Sequence, residues 1–148
     1  MKNKKTQFNE ILPLITESLS KGEKVVFSPY GESMLPLLRP GRDSVELSCV
    51  TDKIKRYDIV FFQRYDGTFV LHRVIKSGDI LTIAGDNRIY EEEISEKQLI
   101  GVVSSFERNG KKYVGKKMIS KPYLTFVFFR RFLRKAKNKI LSVFIGRN

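Results

Sequence analysis

Between residues 24 and 117 the apolar residues come in short runs or in strict alternation, and turn formers bound each run. Val25, Val26 and Phe27 make one run, while Val45, Leu47 and Cys49 alternate with Ser44, Glu46 and Ser48. A period of two puts one set of side chains on a core and the other in water, as in a half-buried strand. Residues 59–63, 68–75, 80–84, 100–106 and 111–114 read as further strands. Asp66-Gly67, Ser77-Gly78-Asp79 and Asn109-Gly110 stand between neighbouring runs. Such pairs favour hairpins, whose tight turns need positive φ. The pattern predicts a mainly β fold of antiparallel strands.

A helical period takes over at both ends. Phe8, Ile11, Leu12, Ile15 and Leu19 recur at spacings of three and four and predict a short helix over 6–20. Pro13 fits that helix only in its first turn. Residues 122–145 predict a second amphipathic helix, with Phe128, Phe129, Phe132, Leu133, Ala136, Ile140, Val143 and Phe144 on one stripe. Arg130, Arg134, Lys137 and Asn138 lie largely opposite. The chain therefore divides into an N-terminal helical segment (1–23), a β domain (24–117) and a basic amphipathic C-terminal helix (118–148).

Charge changes the picture most at that last segment. The chain carries 28 Lys and Arg against 16 Asp and Glu, a net +12, and eight of the excess charges lie between Lys121 and Asn148, where no acidic residue occurs. The rest of the chain is close to balanced. Docking of 122–145 on an anionic membrane surface or on a partner is favoured, since each Lys or Arg near an anionic leaflet adds at most about 1 kcal/mol and buried Phe and Leu add more. The competing reading packs the aromatic face on the β domain. No nucleic-acid-binding module is recognisable. No segment reaches the ~20 apolar residues of a spanning helix, and the N-terminus lacks the apolar run of a secretory signal. A cytoplasmic or peripherally membrane-associated location is expected.

Chemistry is scarce in this sequence, which makes it easier to place. Cys49 is the only cysteine and His72 the only histidine, so no internal disulfide forms and the usual zinc constellations are excluded. A serine hydroxyl needs a neighbouring base to take its proton. His72 supplies one of suitable pKa, and a carboxylate on the far imidazole nitrogen would fix its tautomer. Ser33 lies between Gly31 and Pro36 in Tyr30-Gly31-Glu32-Ser33-Met34-Leu35-Pro36, a context that suits exposure in a cleft. Such a mechanism requires no cofactor and no metal.

Taken together, these strings resemble the type I signal peptidase and LexA-like serine peptidase clan. Residues 31–38 match its nucleophile block, Gly-x-Ser-Met-x-Pro-x-Leu. Tyr57-Asp58-Ile59-Val60 matches a Gly-Asp-Ile-Val strand start with Tyr in place of Gly. His72-Arg73-Val74-Ile75, Gly85-Asp86-Asn87 and Ile100-Gly101-Val102-Val103 match three further blocks in the family's order. The resemblance spans about residues 24–115. It implies a signal-peptidase-like antiparallel β fold, Ser33 as nucleophile, and His72 as base in the manner of the histidine-type members. It also implies an oxyanion hole that uses the Ser33 backbone N–H. An extended precursor peptide would lie between residues 26–31 and 70–75, touching Tyr30, Gly31, Met34, Leu71 and Arg73. Asp86, Glu91 and Glu92 compete for the third catalytic place, with Asp86 favoured as a residue that shapes the site and Glu92 as its rival.

The chain departs from the clan in having Gly31 where many signal peptidases carry a second serine, and no transmembrane anchor like theirs is expected from its hydropathy. A self-cleaving regulator is disfavoured. Too few residues precede the first strand for a helix-turn-helix domain, and the Ala84-Gly85 pair follows His72. The leading expectation is a serine endopeptidase that removes a leader or signal peptide from a precursor. The alternative is a catalytically inactive peptidase-fold binding module at a membrane surface.

Overall fold

The computed structural model describes residues 4–114 and 120–145, with side chains over 10–114 and 120–142. Two helices, α1 (Lys4–Ser20) and α2 (Lys121–Ile145), flank eight strands in one antiparallel sheet. The strands are β1 (Val25–Phe27), β2 (Asp43–Ser48), β3 (Ile59–Gln63), β4 (Phe69–Lys76), β5 (Ile80–Ala84), β6 (Glu92–Ser95), β7 (Leu99–Arg108) and β8 (Lys111–Val114). The sheet order is β1-β2-β7-β3-β4-β5-β6, with β8 pairing to β7. The expected mainly β, antiparallel class with a short N-terminal and a C-terminal helix is what the chain adopts. The expected boundary at 117/118 and the side chains of Phe8, Val143 and Phe144 lie outside the described residues.

All three turn signals form hairpins, joining β3 to β4, β4 to β5 and β7 to β8. Asn109 and Gly110 take φ values of 50° and 74°, the positive pair that a tight hairpin turn requires. Strand β6 was not expected. Its sequence, Glu-Glu-Ile-Ser, has one apolar residue, Ile94, and it pairs only at the edge of β5.

Strand β3 divides the core in two. Ile59 and Phe61 join one cluster with Leu47, Leu71 and Phe106, while Val60 and Phe62 join another with Val74, Leu81 and Ile83. Burial on both faces explains why this strand reads as an unbroken apolar run. Ile15 and Leu19 seat α1 on the first cluster. Pro13 does not lie in the first turn. It stands inside the 17-residue helix on its exposed side, where the carbonyl it leaves without a donor can face water.

Helix α2 docks opposite to the packing expectation. Val127 and Arg131 are buried against the body, whereas Phe126, Phe129, Phe132 and Leu133 face outward. The reading in which the aromatic face packs on the β domain is overturned. Arg131 donates to the carbonyls of Arg88 (3.1 Å) and Gly85 (3.0 Å), and Arg134 donates to the carbonyl of Asn87 (3.0 Å). Guanidinium groups thus satisfy the loop after β5, which has few backbone partners of its own. Phe128 of the expected stripe turns partly inward, its ring 5.9 Å from that of Tyr57.

Beneath the helix lies a fully buried ion pair. Arg73 of β4 donates to both oxygens of Asp86 (2.7 and 2.6 Å) and to the Tyr57 carbonyl (3.1 Å), and the Tyr123 hydroxyl of α2 donates to Asp86 at 2.7 Å. Burial and the carboxylate push the Tyr123 phenol far up, so it remains a donor. Asp86→Ala would leave the Arg73 charge uncompensated and is expected to lower the unfolding free energy by about 3–5 kcal/mol. Urea denaturation checks this, and an unchanged midpoint would show that the pair holds nothing together.

Candidate functional site

Ser33 is positioned by the apolar residues that follow it. Met34, Leu37 and Leu38 insert into the first core cluster, and the Leu38 N–H bonds to the Met34 carbonyl at 2.9 Å. Ser33, just outside that anchor, is left half-buried on a groove of about 660 Å³. Gly31 makes the approach with φ of 90°, a conformation that a side chain would strain. From the far side, the Asn87 N–H donates to the Ser33 carbonyl (2.8 Å) and Asn87 Nδ2 donates to the Glu32 carbonyl (3.1 Å). Arg130 and Arg134 of α2 in turn hold Asn87 Oδ1 at 2.6 and 2.9 Å. The segment carrying Ser33 is thus pinned by core packing below and by the loop after β5 beside it.

His72 reaches the same groove from β4. Its register with Val60 places it on the face of Val70 and Val74, as the alternation predicts, beside the Phe62 ring. Gly85 shows how close the parts are. A Cβ there would lie 2.6 Å from the Ser33 carbonyl oxygen and 3.0 Å from His72 Nε2, so only glycine fits between them. Among the described residues no hydrogen bond joins Ser33 Oγ to the imidazole. Catalytic hydrogen bonds are often long in an unliganded site and tighten only around substrate.

Glu92, not Asp86, is the carboxylate in contact with the imidazole. Glu92 Oε1 lies 2.9 Å from His72 Nδ1, and Arg64 grips the same carboxylate through two bonds of 2.6 and 2.7 Å. Burial pushes the Glu92 carboxyl up, but Arg64 and His72 outweigh it and the group stays below the usual carboxylate range. An ionised carboxylate only accepts, so Nδ1 carries the proton and Nε2 keeps its lone pair on the groove side. Burial lowers the imidazole to about 4, aided by Arg64 and Arg88 and only partly offset by Glu92. His72 is therefore neutral throughout the neutral range.

Two expectations need correction. Asp86 is not on the histidine, because Arg73 and Tyr123 occupy its carboxylate, so it shapes the site from behind. Arg73 does not touch the groove, since its side chain is fully buried on Asp86. Glu91 points to α2, 3.7 Å from Arg131 and 3.6 Å from Lys135. Tyr30, Gly31, Met34 and Leu71 do line the groove, Met34 from its buried floor. Arg64 and Arg88, which also line it, were missed. Arg64 follows an apolar run beside a turn, and nothing in its spacing shows that it meets a residue 28 positions on.

The groove has a strand edge along one wall. Val70, Leu71 and His72 pair with β3, but the pairing of β4 with β5 begins only at Arg73. Backbone groups of this stretch can take an added strand, with alternate side chains entering the groove. Comparison with protein-family models and with curated proteins finds no match.

As the only histidine, His72 gives one unambiguous imidazole signal, and NMR titration is expected to place its midpoint near pH 4. Its folded pKa lies below the ordinary 6.5, so between those values the unfolded chain binds more protons. Stability should fall as pH drops from 6.5 to about 4, by up to about 3 kcal/mol from this group. His72→Asn should flatten that part of the stability profile, and a slope that survives the substitution would assign it to other groups.

Proposed function

We propose that this chain is a serine endopeptidase of the signal-peptidase type that removes a leader or signal peptide from a precursor. Ser33 acts as nucleophile, His72 as general base and Glu92 as the carboxylate that orients it. One observation carries the reading: a neutral imidazole, its far nitrogen on an ionised carboxylate, shares a groove with a half-buried serine. A strand edge runs beside them. The resemblance to the signal peptidase and LexA-like clan adds support, and Tyr57 fits it. It holds φ of 79°, a conformation natural to the glycine of the matching block and strained for any other residue.

On this reading a peptide adds to the Val70–His72 edge and presents its carbonyl to Ser33. The Ser33 oxygen attacks the carbonyl carbon while its proton passes to His72 Nε2. Backbone N–H groups beside the serine hold the oxyanion. Collapse breaks the C–N bond, and the leaving amine takes the proton from Nε2. Water then attacks the acyl-serine by the same steps in reverse roles, releasing the new carboxylate and restoring the hydroxyl. A non-catalytic binding module would keep the groove and lack this chemistry, and the observation on its side is that, among the described residues, no hydrogen bond joins Ser33 Oγ to His72.

A fluorophosphonate probe distinguishes the two. The parent chain is expected to be labelled at Ser33, while Ser33→Ala and His72→Ala each lose labelling by on the order of 10⁴-fold. Their combination should lose little more, because the pair acts as a unit. Glu92→Gln should lose about 10²–10⁴-fold with the fold intact. Labelling that persists in Ser33→Ala would refute the assignment, and an unlabelled but folded parent chain would favour the binding module.

A further inference from the structure

Helix α2 has two faces with opposite roles. Tyr123, Val127 and Arg131, four residues apart, face the body. Phe126, Phe129, Leu133 and Ile140, at spacings of three, four and seven, face away and are half exposed or more, with Phe132 beside them. Phe129 is 60% exposed and Phe132 67%. Lys137 and Lys139 border this stripe, and no acidic residue occurs between Lys121 and the end of the helix. Among the described residues no helix is long and apolar enough to cross a membrane.

We propose that the outward face of α2 docks on an anionic lipid surface, lying flat with its phenylalanines in the headgroup–acyl boundary. Charge selects this occupant. Of the seven Lys and Arg on the helix, Arg130, Arg131 and Arg134 hold residues 85–88 and Lys135 faces Glu91, which leaves Lys121, Lys137 and Lys139 to meet an anionic leaflet, whereas a second copy of the same face would set these lysines against their own kind. Side-chain shape agrees. Phenylalanine and leucine at the centre of a convex stripe insert between lipids, and long lysines at its borders can reach the phosphates. The arginines that hold residues 85–88 lie on the docked face, so lipid contact leaves them in place. This goes beyond the peptidase reading and stands independently of it.

The test is flotation of the full chain with phosphatidylcholine vesicles with and without phosphatidylglycerol. Binding is expected to require the anionic lipid and to weaken as salt rises. Phe129→Ser combined with Phe132→Ser should weaken partitioning by on the order of 100-fold. Both side chains are largely in solvent, so the melting midpoint should not move. Absence of flotation, or equal flotation of the double variant, would overturn the proposal. So would a dimer in light scattering that dissociates in the double variant while vesicles stay unbound, since a second copy would then cover the face.

Discussion

The buried pair of Arg73 and Asp86 is the constraint on which the rest of the site depends. Arg73 follows His72 directly on β4, and Asp86 stands between Gly85 and Asn87. Locking the two charges together fixes the strand that carries the imidazole against the loop that holds the Ser33 backbone. With both charges fully buried, neither partner can leave without stranding the other, so the geometry between strand and loop has little freedom. The Tyr123 hydroxyl brings α2 into the same network. A helix far from the groove in sequence thereby becomes part of what holds it.

Packing does the complementary work on the other wall. Met34, Leu37 and Leu38 sink into the core, and the turn-rich segment around Ser33 has almost no regular structure of its own. Hydrophobic anchors after the serine and the Asn87 bonds beside it hold it from two directions. The expected exposure in a cleft follows from this arrangement, although the serine lies well past the end of β1 and not at a strand terminus.

Much of the fold was legible in the sequence because strand period and Asx-Gly turns are local signals. Strands β1, β3, β5 and β8 fall on their expected residues, and β2, β4 and β7 within about two positions, a usual margin for element ends. Strand β6 was hidden because an edge strand with one buried residue, Ile94, carries no alternation to detect. The site was legible in part for a related reason. Ser33 and His72 stand in distinctive local strings. The choice between Asp86 and Glu92, however, depends on which guanidinium claims which carboxylate, and both claims run across the sheet. The outward turn of the phenylalanines was equally unreadable. An amphipathic stripe states that a helix has two faces and is silent on which one the body takes. Here backbone carbonyls of residues 85–88 needed donors more than the core needed another aromatic surface.

The electrostatics around His72 fit a site that is quiet until it is covered. Burial opposes the imidazolium, and Arg64 draws on the same carboxylate that would otherwise stabilise it. In the free groove these effects keep the ring neutral and therefore able to accept a proton. On the peptidase reading, negative charge develops on the substrate oxygen only as Ser33 attacks. Bound peptide would by then have displaced water, so the new oxyanion and Glu92 act on the ring at short range and low dielectric. The imidazolium then gains its second counter-charge at the moment it forms. A base that is weak at rest and supported in the transition state is favoured over one that is strong at rest, because only the former difference lowers the barrier.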